Sequence, residues 1–403
     1  MIPVCGESDA DLAPFDELMT SFVTEHQVPG AALAVTKDGS LVYARGFGWA
    51  DVEAKRPVAP KALFRIASVS KPITAVAVLQ LVERGLLKTD DKVLDLLGLS
   101  PYLQAGTKPD ERWQQITVAD CLRHTGGWDR DVSGDPIGWA REIGAAFGLR
   151  GPATPADIVR FMMGQPLDFE PGSRFAYSNL GYLVLGRIIE KVTGEKYEAH
   201  VKREVLEPLG IRSARLGFAL ARRRANGEVK YYDSQHRTGP SLWPPHQQVP
   251  VQYGVDNLDG FEAHGGWIAS AVDLVRFAAA FDKPEACRLL RPATIAEMWS
   301  RPAGAAGYEA DGRPKAAYYG YGWSVRPVGD EGQANHWHSG HIAGSEALLV
   351  RRWDGLDWAV VFNTANTPDG KNRLVTLIDG LIHQAADQVK RWPSRNLFDM
   401  YLA

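Results

Sequence analysis

Ser68-Val69-Ser70-Lys71 places a hydroxyl and an amine three residues apart in the chain. On a helix that spacing turns both side chains toward one side. A serine hydroxyl is a poor nucleophile until a base takes its proton, and a lysine serves as that base only when its pKa is lowered. An S-x-x-K sequence arises by chance roughly once in a chain of this length. Two facts raise this one above chance. Ser68 is the single serine with lysine three positions on, and it lies where a strand pattern gives way to a helix pattern.

Two further clusters hold groups able to do chemistry. Tyr177-Ser178-Asn179 opens an apolar helical stretch after the turn Glu170-Pro171-Gly172-Ser173. A tyrosine at a helix mouth can shuttle a proton when cations flank its phenol. An asparagine two residues on can hydrogen-bond both a lysine and a substrate carbonyl. The competing assignments are a core tyrosine and an N-cap at Ser178 or Asn179. His338-Ser339-Gly340 lies within His336-Trp337-His338-Ser339-Gly340-His341, on a predicted strand. Gly340 lets a substrate backbone come close to the strand, and His338 can donate to a substrate or position the tyrosine. A metal is the alternative there, since His336 and His338 share a strand face and His341 follows within reach. No H-E-x-x-H helix motif accompanies them, and no metal is assigned.

The elements that must position these groups follow from periodicity. Leu63–Ala67 reads as a short strand and Pro72–Arg84 as an amphipathic helix, with Ile73, Val76, Leu79 and Val82 as its stripe. Pro72 fits only the first helical turn, so the helix starts close to Ser68 and Lys71, and its dipole favours negative charge beside Ser68. Ala31–Thr36 and Leu41–Gly48, joined by Lys37-Asp38-Gly39-Ser40, read as a hairpin. Helical patterns then cover Val118–Arg123, Pro155–Met163, Leu180–Val192, Tyr197–Leu206 and, after a capping-box-like Ser270…Asp273, Ala271–Phe281. Strand patterns return at Gly322–Val328, His336–Ser339, Ala347–Arg351 and Trp358–Asn363, and a last helix runs near Arg373–Val389. Between them, 222–265 shows no clear elements, which marks a binding loop, a lid or a disordered segment.

Strands at both ends with helices between them predict an α/β fold whose antiparallel sheet is assembled from both termini. Residues 1–86 and 266–403 would form the sheet domain, and 87–265 a mainly helical inserted domain with a long loop at about 222–265. The 403 residues carry a net charge of −3, which gives nucleic acid no electrostatic reason to bind. Arg222-Arg223-Arg224 reads as a solvated loop edge. Three widely spaced cysteines, Cys5, Cys121 and Cys287, form neither a disulfide framework nor a metal cluster. No apolar stretch reaches the length of a membrane span and no signal-peptide pattern opens the chain. The protein reads as soluble, either cytoplasmic or exported with its signal peptide removed.

Taken in order, Ser68-x-x-Lys71, Tyr177-Ser178-Asn179 and His338-Ser339-Gly340 resemble the three motifs of the penicillin-recognising serine hydrolases. The branch most similar is that of the class C β-lactamases, which takes in low-molecular-weight penicillin-binding proteins, D-amino-acid-specific peptidases and family VIII esterases. Leu122-Arg123-His124-Thr125-Gly126-Gly127, Gly265–Leu274 and Tyr319-Gly320-Tyr321-Gly322-Trp323 resemble subsidiary motifs, so the likeness spans about 15–385. It implies a β-lactamase/transpeptidase-like fold, no cofactor, and an acyl-enzyme route on a small-molecule or peptide substrate. Ser68 would be the nucleophile, with Lys71 and Tyr177 together as general base. The backbone N–H groups of Ser68 and His341 would form the oxyanion hole, worth about 2.7–4 kcal/mol each. Asn179, His338, Ser339 and Gly340 would hold the substrate.

One position departs from the pattern. Many members have lysine where this chain has His338, and a histidine is mostly neutral at pH 7. Esterase, amidase or aminopeptidase activity is thereby favoured over action on β-lactams and terminal D-alanine, with Arg351 or Arg352 as possible sources of the missing charge. The alternative is a catalytically weak relative with a binding or assembly role. An α/β-hydrolase is excluded because the chain has no G-x-S-x-G elbow.

Overall fold

The computed structural model describes residues 2–104, 106–329 and 332–401. Six strands form the body of one nine-stranded antiparallel sheet. They are β1 (Gly30–Lys37), β2 (Ser40–Asp51), β3 (Ser324–Val328), β4 (Gln333–Ile342), β5 (Ser345–Arg351) and β6 (Leu356–Phe362). Their order is β2-β1-β6-β5-β4-β3, so β6 from the C-terminal part pairs with β1 from the N-terminal part, Val360 opposite Leu33. Short strands Val4–Cys5, Arg56–Pro57 and Tyr318–Tyr319 complete it.

Successive residues of a strand face opposite sides, and the two sides differ. Leu33, Val35, Trp358, Val360 and Phe362 face one core, against Phe15, Met19 and Phe22 of α1 (Ala13–Glu25) and Ile378 and Ile382 of the C-terminal helix Leu374–Gln388. Ala32, Ala34, Ala44, Ala347 and Ala359 face the other core. Alanines there let the helix Ala271–Ala279 lie close across β1 and β6. That helix begins with the expected capping box: Asp273 N–H donates to Ser270 Oγ at 3.0 Å, and Ser270 N–H to Asp273 Oδ2 at 3.0 Å.

Beyond it lies α2 (Ser70–Glu83). The expected amphipathic stripe is a correction: every residue from Ser70 to Leu81 is buried, because the helices that follow in the chain enclose α2 on its remaining sides. Thr74, for example, finds its partner inside, Oγ1 donating to Ala263 O at 2.6 Å. Asn179–Thr193 forms α3, packed on α2.

The stretch 222–265 contains more than the patternless sequence suggested: a hairpin of Thr238–Pro240 with Gln248–Pro250 and short helical turns at Leu258–Gly260 and Glu262–Gly265. Long-range contacts to one buried cation hold its base. Arg65 Nη1 donates to Gln252 O at 2.6 Å and Nη2 to Phe218 O at 2.8 Å, and its guanidinium lies 4.3 Å from the Tyr231 ring centre. Glu228, at 4.0 Å from Arg65 Nε, supplies countercharge. Among the described residues no helix is long and apolar enough to cross a membrane.

Candidate active site

The short strand Phe64–Arg65 pairs with Trp267–Ala269 and leads into a tight turn, Ala67–Val69, from which α2 continues. Ala67 has φ +44°, a left-handed conformation that an L-residue adopts at a cost of order 1–3 kcal/mol. The turn lifts one side chain out of the core. From 62 to 81, Ser68 is the single residue that is not buried.

Lys71 lies beneath it, fully buried. Its Nζ donates to Ser68 Oγ at 2.9 Å, to Asn179 Oδ1 at 2.7 Å and to His264 O at 2.8 Å. All three acceptors are uncharged groups, so burial dominates and pushes the amine well below its ordinary pKa, with Asp135 opposing and Arg130 assisting. An amine shifted in that direction can act as a base toward the hydroxyl it touches.

The N-terminus of α3 adds the next groups. Ser178 occupies the N-cap position without a side-chain cap, and Asn179 spans from Lys71 to Asp135, donating from Nδ2 to Asp135 Oδ2 at 2.7 Å. The capping assignment for Asn179 therefore gives way to a bridging one. The half-buried Tyr177 presents its ring 4.9 Å from Lys71 Nζ and 4.8 Å from the Arg130 guanidinium. Burial raises its phenol well above the ordinary pKa, while the nearby Ser68 hydroxyl and the charge of Arg130 pull the other way.

β4 closes the opposite side. A Cβ at Gly340 would fall 2.0 Å from Ile66 O and 3.0 Å from Ser68 N, so only glycine lets the strand run against the serine turn. A second close approach occurs at Gly322, where φ is +82° and a Cβ would lie 3.1 Å from Lys71 O. His338 is buried. Its Nδ1 lies 2.8 Å from Ser339 O, which can only accept, so Nδ1 carries the proton and Nε2 accepts from Tyr319 Oη at 2.8 Å. Burial and the charge of Lys71 lower its pKa to about 3, leaving the ring neutral. His341 faces the other way and meets the buried Glu346 at 2.8 Å. His336 stacks on Trp299 at 4.0 Å between ring centres, so the three histidines point to separate partners.

Ser68, Lys71, Tyr177, Asn179 and the 338–340 segment thus come together at one cleft. Arg351 and Arg352 do not: Arg351 lies against Asp282 at 3.3 Å and Arg352 against Asp354 at 2.7 Å and Asp387 at 2.6 Å. Several neighbours escaped the sequence reading. Asp135 and Arg130 arrive from a loop and the carbonyl of His264 from the short helical turn Glu262–Gly265, none with a motif of its own, whereas Tyr319 belongs to a motif already noted. His124 was also in a noted motif; its ring lies 4.3 Å from that of Tyr177 and 4.5 Å from that of Tyr319, and its Nδ1 accepts from Ser178 N–H at 3.2 Å.

Residues 15–380 match the beta-lactamase family. The chain belongs to that family. A penicillin-binding protein of Bacillus subtilis (strain 168) is 29% identical over 349 residues, 84% of this chain and 69% of the relative. Esterase EstB of Burkholderia gladioli is 36% identical over 230 residues, 55% of each protein, so the match spans about half of EstB. Among solved structures, the octameric penicillin-binding protein homologue from Pyrococcus abyssi superposes with a TM-score of 0.66 at 26% identity, over 92% of this chain and 77% of that one. The fold is accordingly that of the beta-lactamases and transpeptidases, and family and relatives together mark the protein as a hydrolase.

Proposed function

We propose that this beta-lactamase family member is a serine hydrolase that works through an acyl-serine on small esters, amides, D-peptides or β-lactams. The observation that supports it most is the 2.9 Å bond from Ser68 Oγ to a fully buried lysine amine whose pKa is lowered. Ser68 Oγ attacks the substrate carbonyl while its proton passes to Lys71, directly or through Tyr177. The tetrahedral oxyanion lies between the N–H groups of Ser68 and His341, a placement supported by the close approach of Gly340 to Ser68 N. The proton returns through Tyr177 to the leaving alcohol or amine, and water then hydrolyses the acyl-serine by the same groups in reverse. Asn179 and the strand edge at His338, Ser339 and Gly340 orient the substrate.

The neutral His338 bears on substrate class. It offers no fixed charge beside β4, which favours esters and amides over substrates needing a carboxylate held at that position. The name of EstB, an esterase, is consistent with this. Hydrolysis of p-nitrophenyl butyrate by the wild-type protein beside Ser68→Ala tests the reading. Turnover that vanishes in the variant supports acyl transfer at Ser68, and equal turnover in both rejects it.

A further inference from the structure

The charges felt at Tyr177 come from Arg130, Asp135 and Arg373. Two of these groups are engaged. Arg373 Nε sits 2.5 Å from the buried carboxylate of Glu346, and Asp135 accepts from Asn179. Arg130 is exposed at the mouth of the cleft. Among the described residues it has no carboxylate partner, since the adjacent Asp129 is taken by Arg174 at 2.8 Å. The charge of Arg130 reaches Tyr177, Lys71 and His124 but is not among the influences on His338. Its guanidinium lies 4.8 Å from the Tyr177 ring centre, which sets it on the Tyr177 side of Ser68.

A guanidinium seated on an aromatic ring is held through its face and keeps its N–H fork at the rim of its plane. That fork matches the two oxygens of a carboxylate. We propose that Arg130 is a specificity-determining residue that binds a carboxylate of the substrate on the Tyr177 side of Ser68, supplying from a loop the charge that His338, Arg351 and Arg352 do not provide. This rests on the hydrolase reading, and it divides the cleft into an uncharged wall at β4 and a cationic wall at Arg130.

The test compares kcat/KM for mono-p-nitrophenyl glutarate and p-nitrophenyl butyrate, which carry the charge on the acyl side or not at all. A second pair, 4-acetoxybenzoate and phenyl acetate, places the charge on the leaving group. The wild-type protein is expected to prefer the anionic member of at least one pair. Arg130→Gln should erase that preference by ~10-fold or more, the size expected for a lost charge-assisted hydrogen bond, and Arg130→Lys should keep part of it. No preference in either pair, or an equal loss on charged and neutral esters in Arg130→Gln, overturns the proposal. If the wild-type protein hydrolyses none of the four esters, the esterase form of the hydrolase reading fails, and calorimetric titration of Ser68→Ala with glutarate decides the binding question. Binding that disappears on adding Arg130→Gln supports the proposal, and binding that is absent or unchanged overturns it.

Discussion

The two faces of the sheet differ in side-chain size and in polarity. Toward α1 and the C-terminal helix the strands present Leu33, Val35, Trp358, Val360 and Phe362, and the packing is apolar. Toward the cleft they present alanines, which let the helix Ala271–Ala279 lie close, and beyond it further helices carry Lys71, Thr74, Asn179 and His264, all buried. Burying polar groups costs free energy unless each finds a partner. One face therefore supplies stability, while the other holds reactive groups in a dry setting where their proton affinities shift. The lesson is a division of labour within one sheet, written in the alternation of its strands.

That contrast can be broken by experiment. Ser68→Ala should lower turnover of p-nitrophenyl butyrate by at least ~10³-fold with an unchanged melting curve by circular dichroism. A fall in the melting temperature comparable with that of a core substitution would contradict the division. Lys71→Met should lose activity by a similar factor yet melt at the same or a higher temperature, since it removes a buried amine and keeps the apolar stem. Tyr177→Phe should lower single-turnover acylation by ~10²-fold or more, within the range for a lost proton-transfer group. Trp358→Ala, on the other face, should show the reverse: a loss of about 3–5 kcal/mol in urea unfolding, with kcat/KM at low temperature kept within about twofold.

The smallest expected effect concerns pH. Because the folded-state pKa of Lys71 lies below the ordinary 10.5, the unfolded chain binds more protons between those values, and stability rises with pH across that window. Lys71→Met should flatten this rise in melting temperature measured from about pH 6 to about pH 10. His338, lowered to about 3 from 6.5, adds a loss of stability as pH falls below 6.5. Activity should fall on the acid side as Lys71 takes a proton, and His338→Asn should leave the midpoint of that limb in place. A limb that moves with His338→Asn would assign it to the histidine.

The elements read most accurately were those set by local pattern. Val118–Arg123 has the same bounds in sequence and structure, and each of the late strands was found within a few residues of its ends. Helix α1 was missing from the expected set although Phe15, Leu18, Met19, Phe22 and Val23 repeat at helical spacing. The amphipathic reading of α2 failed because enclosure on all sides is a tertiary property, invisible in a stripe that already looked complete. At the cleft, Ser68, Lys71 and Asn179 were legible as short motifs. Asp135 and the His264 carbonyl were not, because they meet Asn179 and Lys71 across 44 and 193 positions of sequence. The same reason explains 222–265, whose order depends on contacts with Arg65 and not on its own periodicity.

Arg65 grips that segment through the carbonyl of Gln252, and the chain just ahead of it through that of Phe218. A main-chain carbonyl is the same whatever side chain follows it. Away from Glu228, Tyr231 and Tyr253, whose side chains also meet Arg65, the segment can therefore exchange side chains without losing these anchors to the strand that leads into Ser68. Mutational drift can thus alter what the pocket admits while the reactive serine stays where it is, which makes this part of the chain the natural place to redesign selectivity.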